Sequence, residues 1–384
     1  MGRTPLRSLD LFSGIGGLSI ALTGIASPML YCDIDPAAQA VLADCMKRQL
    51  LPQAPICPDV RQLTPSWLRA HTGKQPPEAI AAGFPCVGFS LVGQRRGYSD
   101  EQSGLFREIL RLLDEHRSIQ YLFLENVAQF VHDGMPHLVS ELHMKRKFSL
   151  TWACMSASDV GAPQLRRRWF CIAYRGQLPK PVAFKAAGYQ PFTRRWAAEP
   201  QQRTACPGGP ARRPLTRGQL HGVQQRLKLL GNSVVPDAAR HAFMHLLDAA
   251  HRMGQGVGVN GQSAWPPHGV VHHGRVTELL PPTPLLVWPH KITLDPSLYR
   301  PAEGYQTKAL LKPLRKKKVL RYWATPRAGL VTGCQVLTER TSHDLPSQIR
   351  WEVRTRDAER GCAMAAEFGE WLMGFPTGYT LAAG

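Results

Sequence analysis

Short apolar runs alternate with helix-like stretches over the first 175 residues of the chain. Candidate strands are Ser8–Phe12, Met29–Asp33, Ala79–Phe84, Tyr121–Glu125, Ser149–Met155 and Trp169–Tyr174. Between them, Gly17–Leu22, Pro36–Lys47 and Leu105–Glu115 have helical patterning. Strand and helix in this alternation predict an α/β fold, a doubly wound and mostly parallel sheet with helices on its faces. The spacing is too irregular for a repeat array.

The pattern changes after residue 175. Residues 176–216 are rich in Pro, Gly and Arg, with Arg194-Arg195 and Arg212-Arg213, and suggest a basic linker or extended loop. Residues 217–250 return to helix-friendly composition around Gly231-Asn232-Ser233-Val234, and residues 251–290 are again Gly- and Pro-rich. The predicted organisation is a catalytic and cofactor-binding domain over 1–175, a linker over 176–216, and a helical segment over 217–250 that completes the first domain. A smaller, loop-rich domain follows over 251–384.

A chain of 384 residues can bury a full core and carry a second domain. With 43% hydrophobic and 20% charged residues the composition is that of a soluble globular protein. No run approaches the roughly 20 apolar residues of a membrane-spanning helix. The opening segment, with Arg3, Arg7 and Asp10, does not read as a signal peptide. None of the nine cysteines is spaced Cys-x-x-Cys, which disfavours a zinc ribbon or a redox motif and predicts free thiols. His268, His272 and His273 invite a metal reading, but no cysteine or acid sits at ligand spacing, so no metal is expected.

Charge is the most informative part of the composition. The net charge is +19. Residues 1–150 carry 15 basic and 14 acidic side chains, a balance of +1, whereas residues 151–250 carry 15 and 4, a balance of +11. Residues 251–350 add 14 and 5, or +9, and residues 351–384 carry 3 and 5, or −2. A neutral body followed by a basic half suggests a surface that faces a polyanion. Charge alone does not separate DNA from RNA or a membrane surface.

Candidate chemistry starts at Asp10-Leu11-Phe12-Ser13-Gly14-Ile15-Gly16-Gly17, which follows a strand and opens a helix. Glycines there allow a sharp turn and a close backbone approach to a ligand. Tyr31-Cys32-Asp33-Ile34-Asp35 ends the second strand with acids, and Pro58-Asp59-Val60 ends the third segment with another. An acid at the second strand end can hold a ribose hydroxyl pair. A ligand-free tight turn is the alternative for the glycines alone. A dinucleotide is the alternative ligand, disfavoured because Ser19 stands at the third glycine of G-x-G-x-x-G.

Gly83-Phe84-Pro85-Cys86-Val87-Gly88 follows the run Ala79–Ala82, so Cys86 sits just past a strand's C-terminal end. Active sites of α/β sheets gather there, and a thiol so presented can be a nucleophile. A half-buried loop thiol is the alternative. Leu124-Glu125-Asn126-Val127 is a neighbouring strand that ends in an acid. In Gln164-Leu165-Arg166-Arg167-Arg168, the alternating Gln164, Arg166 and Arg168 are expected on one face of an extended segment. A solvated basic strand is the alternative.

Taken in order, these motifs resemble the DNA cytosine-5 methyltransferases that use S-adenosylmethionine. Phe12–Gly17, Asp33, Asp59, Pro85-Cys86, Glu125-Asn126-Val127, Gln164-x-Arg166-x-Arg168 and Gly231-Asn232-Ser233-Val234 carry the resemblance, with Gly93–Gly97 and Ser103–Phe106. They span residues 1–175 and 220–250. The resemblance implies a Rossmann-like methyltransferase sheet that binds S-adenosylmethionine. Phe12, Gly14, Gly16 and Gly17 would line its methionine and ribose. Asp33 would bond the ribose hydroxyls, Ile34 pack on adenine and Asp59 face the adenine amino group. Phe84, Pro85 and Leu105 would complete the site, with Asn232 and Val234 at the methionine end. Cys86 would attack cytosine C6, with Glu125, Arg166 and Arg168 around the base. Ser90, Arg95, Arg96 and Gln164 would contact DNA. The basic residues Lys316, Lys317 and Lys318 are expected to contact phosphates beside the target, with a nuclear targeting signal and a solvated face as the alternatives.

The implied substrate is double-stranded DNA with the target base flipped out. A monomer is expected, with no membrane partner. The expected location is the cytoplasm and nucleoid for a prokaryotic or viral source, or the nucleus for a eukaryotic one. Two alternatives remain at this stage, a tRNA-type cytosine-5 methyltransferase and a DNA-binding protein with a decayed active site. The sequence departs from the family's usual pattern at Val87, where Gln is usual, and at Asp33, where Glu is usual. Glu370-Trp371-Leu372-Met373-Gly374-Phe375-Pro376 resembles a segment that normally precedes Gly-Asn-Ser-Val, which implies a target-recognition region displaced to the C-terminus.

Overall fold

The computed structural model describes residues 4–73, 75–85, 104–162, 164, 166–176, 189, 191–192, 217–252, 265–272, 275–279 and 366–383. Nine strands form one sheet in the order β3-β2-β1-β4-β5-β7-β6-β8-β9. They are β1 (Leu6–Leu11), β2 (Ala26–Cys32), β3 (Ile56–Cys57), β4 (Ala79–Gly83), β5 (Tyr121–Val127), β6 (Ser149–Ser156), β7 (Arg167–Tyr174), β8 (His268–His272) and β9 (Arg275–Glu278). The ladders among β1 to β5 are parallel. β7 runs antiparallel to both β5 and β6, and β8 antiparallel to both β6 and β9. Only β7 and β8 run against the other described strands, so the sheet is mixed but mostly parallel, as the alternation of elements predicts.

The described helices are α1 (Gly17–Ala21), α2 (Pro36–Lys47), α3 (Pro65–Thr72), α4 (Leu105–Glu115), α5 (Phe130–Asp133), α6 (Met135–Leu138), α7 (Arg217–Asn232), α8 (Pro236–Arg252) and α9 (Ala366–Met373). Local chemistry sets their ends. Asp35 caps α2 by accepting from the Ala37 amide at 3.0 Å, with Pro36 in the first turn. α4 buries Phe106, Ile109, Leu110, Leu112 and Leu113, a helical stripe. Arg111, outside that stripe, pairs with Glu108 and Glu115 at 2.8 Å each.

Successive strand residues face opposite sides, and both sides are buried. On one face Leu122, Leu124, Trp169 and Cys171 join a core that includes Phe84, Phe106 and Phe130. On the other, Phe123 and Phe170 meet Phe243 of α8 edge-on, at centroid distances of 5.4 and 5.6 Å. A sheet covered on both faces forces near-continuous apolar strands, and the β4 run Ala-Ile-Ala-Ala is buried throughout.

The chain forms two compact units. The first comprises Met1–Ser156, Arg167–Pro191 and Ser233–Pro284, and contains the sheet and α8. The sequence boundary near 251 falls inside it, because β8 and β9 extend the sheet beyond β6. Side-chain contacts explain why a Gly- and Pro-rich stretch joins a sheet. Trp152 Nε1 donates to the Pro266 carbonyl at 3.0 Å, and Gly269 leaves the space its ring occupies, since a Cβ there would lie 2.4 Å from it. His268 Nδ1 accepts from the Cys154 amide at 3.3 Å, and burial pushes its pKa down to about 4. The neutral ring serves as a core acceptor.

The second unit comprises Ala157–Arg166, Phe192–Asn232 and Leu285–Gly384. Its described part is small, with α7 packed on α9 and on the turn that follows α9. Residues 280–365, which include most of the proposed recognition domain, lie outside the described residues.

Candidate active site

Four parallel strands are in register near their C-terminal ends. Leu11 pairs with Cys32 and with Ala82, and Ala82 pairs with Leu124. The residues that follow are Phe12, Asp33, Gly83 and Glu125. Residues expected at two different parts of a reaction therefore lie along one edge of the sheet, with strands about 4.8 Å apart.

The glycine turn is built by the backbone and two side chains. Phe12, Gly14 and Gly16 have φ of 54°, 53° and 82°, in the left-handed region. Ser13 Oγ donates to the Asp10 carbonyl at 2.7 Å and accepts from the Cys32 amide at 3.0 Å, which ties β1 to β2. Asp33 Oδ2 accepts from the Gly14 amide at 2.6 Å, and its Oδ1 accepts from the Asp35 amide at 2.9 Å. Asp33 itself hangs on β3, since its amide donates to the Cys57 carbonyl at 3.3 Å.

Gly17 allows a close approach of the segment that follows α7. A Cβ there would lie 2.8 Å from Val234 Cγ1 and 3.3 Å from the Val234 carbonyl oxygen. Arg240 of α8 secures that contact by donating to the Ala21 and Thr23 carbonyls at 2.9 and 2.7 Å. Its guanidinium also lies 4.3 Å from the Tyr189 ring centroid. Nothing in the local sequence marks Arg240 for this task.

Ile34 is 68% exposed, beside the bound carboxylate of Asp33. Asp59 ends the β3 segment and accepts from the Arg61 guanidinium at 2.6 and 3.0 Å. That cation holds the Asp59 carboxyl below its usual range. Phe84 is buried against Phe106 and Phe130, with centroids at 5.2 and 5.4 Å, while Pro85 and Leu105 are partly buried. Asn232 ends α7 in the second unit and is exposed.

Glu125 is set against Arg168, the pair brought together by the β5–β7 ladder. Arg168 Nε lies 3.2 Å from Glu125 Oε1, with both side chains mostly covered. Gly83 is opposite Glu125 in the β4–β5 ladder, and a Cβ at Gly83 would lie 3.1 Å from Glu125 Oε2. The next residue, Asn126, faces the other way and is buried. It donates to the Phe84 carbonyl at 3.1 Å and accepts from the Val127 amide at 2.9 Å, so it fixes the backbone leading to Pro85. Sequence reading missed this role, although the alternation along β5 separates Asn126 from Glu125. Cys86, Ser90, Arg95, Arg96, Lys316, Lys317 and Lys318 lie outside the described residues.

The alternating side chains of the Gln164–Arg168 segment meet different partners. Gln164 is buried, and its amide donates to the Leu372 carbonyl at 2.7 Å. Arg166 is also buried and donates to the Gly231 carbonyl at 2.9 Å, while Arg168 faces Glu125. Gln164, expected at DNA, is thus engaged within the protein. A local alternation specifies direction from the strand axis but not what packs there.

Comparison with known families gives the family. The family description "C-5 cytosine-specific DNA methylase" matches residues 6–204, more than half of the chain. This chain belongs to the C-5 cytosine-specific DNA methylase family. The methylase is similar to "Type II methyltransferase M.CviJI" of Paramecium bursaria Chlorella virus IL3A, 28% identical over 387 residues and 97% of each chain. It is also similar to "Type II methyltransferase M.HhaI" of Haemophilus parahaemolyticus, 31% identical over 189 residues, 46% of this chain and 54% of that one. For "Type II methyltransferase M.DsaV" of Dactylococcopsis salina the identity is 28% over 198 residues, 48% of this chain and 53% of that one. The methylase thus aligns along nearly all of the first relative and about half of the other two. Among its described residues no helix is long and apolar enough to cross a membrane.

One buried acid beneath the turn gives a pH prediction. Asp10 is pushed up from 3.8 to about 7, chiefly by burial, with hydrogen bonds from Ser19 and Ser13 opposing the shift. The folded state therefore holds this proton more tightly than the unfolded chain. Stability contributed by the protonated form is present below about pH 4 and is lost as pH rises towards about 7. Asp10→Asn is expected to gain stability relative to wild type between pH 5 and pH 8, by on the order of 2–4 kcal/mol. Urea melts at both pH values check this, and an equal difference at the two would refute it.

Proposed function

We infer that the protein transfers a methyl group from S-adenosylmethionine to C5 of cytosine in duplex DNA, through a covalent adduct between Cys86 and C6. The observation that carries this reading is the β4–β5 register, which sets Gly83, three residues before Cys86 in the sequence, opposite Glu125, with Arg168 at 3.2 Å from that carboxylate. Family membership supports the same chemistry.

The residues along the β1–β2 edge fit an adenosine-bearing methyl donor. Asp33, placed beside the glycine turn by the Gly14 amide, would accept from ribose hydroxyls. Exposed Ile34 offers an apolar surface to a purine, and the open space at Gly14 leaves backbone accessible, since a Cβ there would touch nothing within 4 Å. S-adenosylmethionine, when bound, supplies an electrophilic methyl group.

The chain's own residues would make cytosine able to accept it. Addition of the Cys86 thiolate to C6 breaks the C5–C6 double bond and makes C5 nucleophilic. Charge that develops at N3 needs relief, which Glu125 would provide as proton donor or hydrogen-bond partner. Arg168 holds the Glu125 carboxylate, and a cation beside the Cys86 thiol would favour its ionised form. After C5 is methylated, loss of the C5 proton and expulsion of the thiolate restore the ring.

The test is tritiated methyl transfer from S-adenosylmethionine to duplex DNA, with tRNA as the competing acceptor. Label in duplex DNA is expected. Label in tRNA alone would replace this reading with the RNA-directed one, and label in neither would favour a decayed active site. Because the basic half carries most of the +19 charge, DNA affinity is expected to fall about 10³–10⁵-fold between 50 and 200 mM salt. Fluorescence anisotropy across that range checks it, and a flat response would assign the charge elsewhere.

A further inference from the structure

We propose that Gln164 is a positioning residue, which locks the Arg166 segment to the C-terminal helix α9 instead of reading DNA. The proposal rests on the reading of Arg166 as part of the reaction centre.

The contacts close a circuit within the second unit. Gln164 Nε2 donates to the carbonyl of Leu372, in the last turn of α9, at 2.7 Å. Two residues along, Arg166 donates to the carbonyl of Gly231, in the last turn of α7, at 2.9 Å. α7 and α9 are joined in turn by Arg226 and Glu370, whose Nη2 and Oε1 lie 3.0 Å apart with the Glu370 side chain fully buried. A short segment is thus fixed at two points to two helices that are themselves pinned together.

Glu370 is held beyond that pair. Its Oε1 accepts from the Thr380 amide at 2.8 Å and the Thr380 hydroxyl at 2.6 Å, and its Oε2 from the Gly378 amide at 2.6 Å. Arg226 Nε also donates to Thr380 Oγ1 at 3.0 Å. A buried carboxylate with this many donors is fully committed, so α9 has one seat on α7. Gln164 reads that seat through a main-chain carbonyl, which no side-chain substitution at Leu372 would remove. A glutamine that contacts DNA would need its amide free, whereas here the amide nitrogen is buried and already donating.

The test is Gln164→Leu in the full chain, which keeps the side-chain volume and removes the donor to Leu372. The expected result is a fall in kcat of about tenfold, the scale of one buried hydrogen bond, with KM for duplex DNA within twofold of wild type. A raised KM with kcat unchanged would overturn the proposal in favour of a DNA contact, and so would no change in either. Amide hydrogen exchange is a second readout that needs no activity. Gln164→Leu and, separately, Glu370→Gln are both expected to speed exchange over residues 164–168, and unchanged exchange in both overturns the proposal. If the wild type transfers no methyl to duplex DNA, the functional reading fails on its own, and the exchange result still decides the circuit.

Discussion

Cys86→Ala is expected to abolish methyl transfer to duplex DNA, with a loss of at least about a thousandfold, the scale seen when a covalent nucleophile is removed. Binding should survive. Gly14, Asp33 and Ile34, proposed for the methyl donor, follow β1 and β2, and the Asp33 carboxylate is held by main-chain amides that owe nothing to Cys86. Calorimetric affinity for S-adenosylmethionine is therefore expected to stay within twofold. A covalent trap sharpens the result. Duplex DNA with 5-fluorocytosine cannot lose its C5 substituent as a proton, so the wild type should accumulate a stable adduct on a denaturing gel and the variant none. An adduct that persists in Cys86→Ala would remove this thiol from the mechanism.

Glu125→Gln is expected to cost about 10²–10⁴ in kcat, the usual range for a group that moves or shares a proton in the transition state. The amide keeps the shape and the place on β5, so the fold should hold. What it loses is the acidic proton and the charge facing Arg168 at 3.2 Å. The amide can still accept from Arg168, so a melting temperature within a few degrees of wild type is expected. A loss of less than tenfold in kcat would sink the proposed role at N3. The comparison with Cys86→Ala is informative, since Glu125→Gln should slow adduct formation without eliminating it.

The sequence is most legible where local pattern and tertiary demand agree. Alternating apolar runs mark β1, β2 and β4 to β7 because both faces of a doubly wound sheet need apolar cover. Asp33 and Glu125 stand out because each acid ends such a run. β8 and β9 are hidden for the opposite reason. Their segment is Gly-, Pro- and His-rich, and it joins the sheet through partners more than a hundred residues away, Trp152 with Pro266 and Cys154 with His268. Gln164 illustrates a different limit. Its spacing with Arg166 and Arg168 is visible, but the α9 carbonyl that occupies it is 208 positions along the chain. Asn126 was in view as part of a motif, and only the buried Phe84 carbonyl explains what its amide does.

The Arg226–Glu370 pair also sets a timetable for biosynthesis. Its members are 144 residues apart in the chain. At typical synthesis rates of about 5–20 residues per second, Arg226 leaves the ribosome roughly 7–30 s before its counter-ion exists. During that interval α7 carries a cation and an apolar flank, Leu227, Leu229 and Leu230, that the finished protein buries. The sheet strands up to β7 are already made, whereas this helix waits for α9. The nascent chain therefore passes through a stage at which one unit can close while the other remains open to chaperones and to competing partners.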